Sequence, residues 1–170
     1  MRAALGLGAN LGDPRVALTI AVAHIMADSW VVRLQRSSFY DTTPVGGPEQ
    51  PDYLNAVVVV DLQTGHPAEA AAEHLLALAH RIEEDLHRVR DVRWGPRTVD
   101  VDVLAVAGLV TTDPRLTVPH PRATERAFVL IPWAEIDPDF VIPGVGTVAT
   151  ALAALSDRDK NDVRPAVADR

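Results

Sequence analysis

No cysteine occurs among the 170 residues. Its absence excludes a disulfide framework, thiolate zinc sites and a cysteine nucleophile. Aromatic residues are scarce, with three Phe, two Tyr and three Trp. RNA-reading sheets use two or three exposed aromatics on a basic surface, whereas this chain carries a net charge of −7. Neither nucleic acid nor an acidic membrane is therefore an expected partner. Long apolar runs are also missing: stretches such as Ala56 to Val60 fall far short of a membrane span. The N-terminal stretch Met1 to Asn10 has one positive charge and is broken by Gly6 and Gly8, unlike a secretory signal. The expectation is a cytoplasmic protein.

What is present suits one globular domain. Hydrophobic residues make up 48% and charged residues 23%, enough apolar surface for a core at this length. Residues 1–156 read as a single domain, and 157–170 as a polar tail expected to fray. No repeat or linker divides the chain. Charge is unevenly spread: between Leu86 and Thr98, Arg88, Arg90, Arg93 and Arg97 face a single acid, Asp91, giving a local +3. Such an island inside an acidic protein invites a small, highly charged ligand.

Patterning along the chain predicts the elements. Residues 2–8 read as a first strand, and Asn10 to Pro14 as a turn into a helix capped by Asp13. That helix should run to about Asp28. Residues 30–40 read as a second strand. Thr42 to Pro51 holds three prolines and two glycines, so it is a shaped loop. Valine-rich Tyr53 to Leu62 reads as a central strand. Leu75, Leu78, Ile82 and Leu86 recur at helical spacing within His66 to Leu86. Val99 to Val106 forms another strand, a short Leu-Thr-Val piece follows Pro114, and residues 122–136 suit a helix interrupted near Pro132. The order β-α-β-β-α-β indicates an α+β, ferredoxin-like sandwich, an antiparallel sheet with helices packed on one face.

Asp100 and Asp102 form the strongest chemical signal. Residues two apart in a strand project together, so Val99, Val101 and Val103 would enter the core and leave both carboxylates on the opposite face. Magnesium takes one or two carboxylates, with phosphates and water completing its octahedron. Taken alone, an Asp-x-Asp pair is more often a solvated strand face than a metal site. Arg97 and the arginines at 88, 90 and 93 shift the balance, because guanidinium groups beside metal carboxylates are what phosphoryl transfer requires. One of the four is expected to be merely solvated, Arg93 being the candidate.

A second constellation joins Thr43-Pro44 with Tyr53 and Asn55, which share a strand face. An aromatic platform beside an amide suits a flat heterocycle, although in isolation an ordinary strand start with a capped loop is the favoured reading. His120 lies on a rigid Pro-His-Pro segment, and Glu83 on a helix near Ile82; both have bland structural readings. Gly6, Gly8 and Gly12 lack a following Gly-Lys-Ser/Thr, so they indicate close packing and a turn. No Ser-His-Asp grouping with a nucleophile elbow is visible.

In order along the chain stand Gly8-Ala-Asn10-Leu-Gly12, Phe39-Tyr40 with Thr43-Pro44, and Gln50-Pro-Asp-Tyr-Leu-Asn-Ala56. Arg81-Ile-Glu83, Arg88-Val-Arg90 and Arg93-Trp-Gly-Pro-Arg-Thr-Val-Asp-Val-Asp102 follow, then Leu116-Thr-Val-Pro-His120 and Arg126-Ala-Phe128. Across roughly residues 5–142 the sequence resembles the 6-hydroxymethyl-7,8-dihydropterin pyrophosphokinase family. The resemblance implies transfer of the β,γ-diphosphate of ATP to the pterin hydroxymethyl group in folate biosynthesis, leaving AMP.

It further implies two Mg2+ ions on Asp100 and Asp102, with Arg88, Arg90 and Arg97 completing the catalytic set. Arg88 and Arg90 would ride a loop closing over the phosphates, and Trp94 would help seal the site. Tyr53 and Phe128 would hold the pterin, while Asn55 and the backbone of Thr43, Pro44 and Val45 read its edge. Glu83, Arg97, Val103, Arg115, Thr117, His120 and Arg126 would line the ATP site. The expected enzyme is a monomer acting on these two small molecules.

Departures from the family pattern are Ala9 in place of serine, Val103 in place of isoleucine or leucine, and Pro121 where some members carry an aromatic. Two other readings remain: a non-catalytic module of the same fold binding RNA or a regulatory ligand, and a phosphotransferase acting on another heterocycle.

Overall fold

The computed structural model describes residues 1–44, 50–87 and 98–167. Its spine is β4 (Tyr53–Leu62), whose residues 54 to 60 are buried without interruption, as a strand covered on both faces requires. β1 (Arg2–Ala9) pairs antiparallel with β4 along its whole length, from Arg2 opposite Asp61 to Ala9 opposite Leu54. β5 (Asp100–Val106) pairs with the other side of β1 and forms an edge of the sheet.

The expected second strand is two strands. β2 (Val31–Arg36) and β3 (Tyr40–Thr42) lie in succession along β4. Ser37 separates them: its N–H donates to the Val57 carbonyl at 2.9 Å, and its Oγ accepts from the Val57 N–H at 3.0 Å. A hydroxyl standing in for a ladder carbonyl lets the chain bend while both Val57 backbone groups stay satisfied.

α1 (Pro14–Ala27) starts as expected, with the Asp13 carboxylate accepting from the Val16 N–H at 3.0 Å. α2 (Ala68–Asp85) buries Leu75, Leu78, Ala79 and Ile82. Both helices pack on the face formed by Leu5, Leu7, Val58, Val60, Val101 and Val103. The other face is not bare, contrary to the one-sided sandwich expected. There α3 (Ala127–Ile136) and α4 (Val148–Ala154) join Val57, Val59, Leu104 and Ala105 in a second core around Trp133, Leu130 and Phe140. The valines facing this side need cover, and α3 is apolar on nearly every side. α3 also runs unbroken through Pro132, although a proline cannot make the bond to the carbonyl four residues earlier.

Two short hairpins, β6 (Thr111–Asp113) with β7 (Leu116–Val118) and β8 (Val141–Ile142) with β9 (Gly146–Thr147), complete the middle of the chain. Residues 157–167 of the tail expected to fray are instead structured. α5 (Asp157–Asn161) leads into β10 (Val163–Pro165), which pairs with β3 and extends the main sheet to six strands in the order β10-β3-β4-β1-β5, with β2 also on β4. Its backbone groups satisfy an otherwise open edge.

Candidate active site

Strand alternation decides which side chains meet on the second face. On β4 the residues facing α3 are Val57 and Val59; continuing that parity toward the strand start gives Asn55 and Tyr53. On β1 the same face carries Ala4, then Gly6 and Gly8, and on β5 it carries Leu104, then Asp102 and Asp100. Gly8 pairs with Asn55 on one side and Asp100 on the other, and Gly6 lies between Val57 and Asp102. The end of the face beyond α3 is thus a floor of two glycines, with carboxylates on one flank and an amide and a phenol on the other. Asn55 and Asp100 stand two inter-strand spacings apart, about 10 Å.

The alternation expected for β5 is present: Val101 and Val103 are buried, while Asp100 and Asp102 are half-exposed. At this sheet edge no strand among the described residues meets the Val101 N–H. The buried Glu83 carboxylate at the end of α2 accepts it at 3.1 Å. One helix carboxylate therefore fixes the backbone between the two aspartates and blocks the edge.

On the other flank the Asn55 Nδ2 donates to Thr42 Oγ1 at 2.8 Å. With Nδ2 engaged, the Asn55 Oδ1 is the atom lying above Gly8, 3.3 Å from where a Cβ would stand. Gln50 Oε1 accepts both from the Tyr53 hydroxyl and from Asn10 Nδ2, each at 3.0 Å. Asn10, 3% exposed, also donates to the Pro51 carbonyl. Nothing in the sequence alone assigns a site role to Thr42, Gln50 or Asn10. Asn10 and Gln50 lie inside the matched motifs, and a polar side chain fixed there was the available signal. Thr43 is exposed and Pro44 half-exposed, directly after β3.

His120 is brought to the carboxylate flank. Its N–H donates to the Leu104 carbonyl at 2.7 Å, tying the segment that follows a cis Val118–Pro119 peptide to β5. The Arg122 N–H donates to His120 Nδ1 at 3.2 Å, so the neutral ring carries its proton on Nε2. Burial, then the charges of Arg126 and Arg122, hold its pKa below the ordinary histidine value, partly opposed by Asp100. All three charges therefore act on His120 at this end of the sheet. The Arg126 guanidinium lies 5.5 Å from the Phe128 ring centre, at the head of α3.

Three of the expected ATP-site side chains are engaged differently. Arg115 is exposed and closes on Asp113 in the β6–β7 hairpin at 2.8 Å, holding that carboxyl down at about 2. Thr117 donates to the Asp113 carbonyl at 3.1 Å. Val103 is buried in the core under α1 and α2, so its side chain is not on the aspartate face; parity forbids it. Val45, Arg88, Arg90, Arg93, Trp94 and Arg97 lie outside the described residues.

The layout defines a class before any comparison: an α+β sheet with paired carboxylates and cationic side chains beside an aromatic–amide pair, as a small-molecule phosphotransferase requires. Residues 4–138 match the 7,8-dihydro-6-hydroxymethylpterin-pyrophosphokinase (HPPK) family. The chain is 47% identical over 154 residues to a 2-amino-4-hydroxy-6-hydroxymethyldihydropteridine pyrophosphokinase of Methylorubrum extorquens, covering 91% of this chain and 93% of the relative. Identity to the Mycobacterium tuberculosis protein of the same name is 38%, over 96% and 88% of the two chains. For the Bacillus subtilis protein it is 43%, over 78% and 75%. The fold matches the Plasmodium falciparum HPPK-DHPS wild type solved with SDX-DHP at a TM-score of 0.58 and 13% identity. That match covers 89% of this chain but only 43% of the longer one. This chain belongs to the HPPK family.

Proposed function

We propose that the chain transfers the β,γ-diphosphate of ATP to the hydroxymethyl oxygen of 6-hydroxymethyl-7,8-dihydropterin, releasing AMP, as a monomeric cytoplasmic enzyme of folate biosynthesis. One observation carries the reading at this site: Asp100 and Asp102 share a face with Asn55 and Tyr53, separated by the bare backbone of Gly8. A molecule gripped at Asn55 can extend across Gly8 toward whatever the aspartates hold.

The donor set suits magnesium. Among the described residues no cluster of three or more His, Asp or Glu side chains could cage a metal, and magnesium on a nucleotide needs only one or two carboxylates. Asp100 and Asp102 would hold two ions, which when bound neutralise phosphate oxygens. The residues of the chain do the rest. Glu83 fixes the backbone between the aspartates. Asn55, with its Nδ2 engaged by Thr42, offers Oδ1 to a ring N–H or amino group. Tyr53, steadied by Gln50, and Phe128 supply apolar faces for the ring. His120 offers Nε2–H, and Arg126 its charge, to the nucleotide.

The acceptor oxygen attacks the β-phosphorus, the bond from that phosphorus to the α–β bridging oxygen breaks, and AMP departs with that oxygen. The acceptor proton goes to solvent or phosphate. Positioning and charge compensation supply most of the acceleration in such a reaction. Among the described residues no helix is long and apolar enough to cross a membrane. The reading is tested by exchanging acceptors. Nucleotides are separated after incubation with ATP, magnesium and either the dihydropterin alcohol or other heterocyclic alcohols. AMP formed only with the pterin is expected; preference for another heterocycle refutes the acceptor.

A further inference from the structure

The strand that carries Thr42 pairs on its outer edge with β10. β3 is three residues long. Its inner edge lies on β4, and its outer edge pairs with β10, placing Val163 opposite Thr42, Arg164 opposite Asp41 and Pro165 opposite Tyr40. The Ala166 N–H donates to the Phe39 carbonyl at 2.9 Å. Ladder bonds recur at every second residue, so Arg164 is the residue of β10 whose N–H points at β3. Val163 and Thr42 then form a non-hydrogen-bonded pair, the one with closer side chains, and Thr42 is 7% exposed. Two side-chain ties extend the clasp. The Arg164 guanidinium meets Asp52, the residue before Tyr53, at 3.0 Å. Arg15 of α1 donates to the Val167 carbonyl at 2.7 Å.

We propose that residues 163–167 are a positioning element for the acceptor pocket, holding β3 so that Thr42 fixes the Asn55 amide, and steadying Asp52 beside Tyr53. This rests on the acceptor-site reading above. Without β10, β3 becomes a three-residue edge strand, and water competes with Thr42 for the Asn55 amide. The amide can then turn and offer Nδ2 where Oδ1 is needed. The aspartates lie on β5, at the far edge of the sheet from β10, so the effect falls on acceptor binding and spares the nucleotide.

The test compares three full-length variants with the wild type by acceptor KM, ATP KM and kcat, with thermal melts alongside. Arg164→Pro removes the N–H and the ion pair, Arg164→Ala removes the ion pair alone, and Arg164→Lys keeps both. Acceptor KM should rise roughly tenfold for the proline variant and about threefold for the alanine variant, on the scale of one hydrogen bond and one surface ion pair. ATP KM should not move, and lysine should restore acceptor KM. Should the proline variant fail to fold, the alanine and lysine pair decides the question at smaller amplitude. Unchanged acceptor KM in the folded variants, or an equal rise in both KM values, overturns the proposal. Absence of pterin-dependent AMP with the wild type refutes the acceptor reading itself, before any variant is compared.

Discussion

Replacing Gly8 by alanine puts one methyl group on the floor between the two halves of the site. Gly8 is not among the glycines with positive φ, so its backbone accepts alanine without strain. The new Cβ would stand 3.3 Å from Asn55 Oδ1 and would rise roughly 1.5 Å above the backbone, the length of a carbon–carbon bond. A ligand bridging Asn55 and the aspartates must lift or tilt by a similar amount. Misplacement of about 1 Å at a reacting centre can cost on the order of 100-fold, or about 2.7 kcal/mol in the barrier. Stability should barely change. Removing a strand glycine gains roughly 0.5–1 kcal/mol, offset by crowding against Asn55, so the melting temperature should move by no more than about 4 °C.

The assay is steady-state AMP formation at varied pterin, with a thermal melt of the same sample. Gly6→Ala is the comparison: its Cβ meets the Leu104 side chain at 3.3 Å, a flexible neighbour nearer the end covered by α3, and acceptor kinetics should suffer far less. A fall in kcat/KM of less than about threefold for Gly8→Ala would refute the floor. So would a loss of activity that merely follows unfolding.

Two further predictions concern the carboxylates. Asp102→Asn keeps the shape of the side chain but halves the anionic pair on β5; turnover should drop by several powers of ten while the melt stays unchanged, and near-normal activity at saturating magnesium would contradict the metal assignment. Arg115→Ala should let the Asp113 carboxyl rise from about 2 toward its ordinary 3.8, followed by NMR titration. Because the folded value is the lower one, the stability this carboxyl contributes is complete above pH 3.8 and is lost as pH falls through about 2; the variant should lack that acid-side dependence. A carboxyl that stays near 2 would mean that Arg115 is not its partner in solution.

The carboxylate pair was legible in the sequence because strand parity is a local rule: Asp100 and Asp102 alternate with valines, and the core claims the valines. The same rule already sends the Val103 side chain into the core, where it lies; only the resemblance set it in the ATP site. The second core was less visible. Tyr53 to Leu62 plainly marks a central strand, but covering its other face depends on α3 returning from more than sixty residues away. The order of residues 157–167 is hidden for a related reason. Residues 157–170 are polar and short of apolar pattern, and β10 is held by backbone pairing to β3 and by Arg164, which composition does not report. Thr42 and Gln50 are not legible there because their roles lie in the β3–β4 register and in a contact with Asn10, 40 residues away.

The central claim is that one sheet face carries both the diphosphate donor and the pterin acceptor. Its most direct test is 31P NMR of a reaction containing the purified chain, magnesium, ATP and 6-hydroxymethyl-7,8-dihydropterin. The account predicts an AMP singlet growing in step with two coupled resonances of a pterin diphosphate, and none of this when pterin is omitted. ADP with a pterin monophosphate, or ATP untouched by the folded chain, would contradict it.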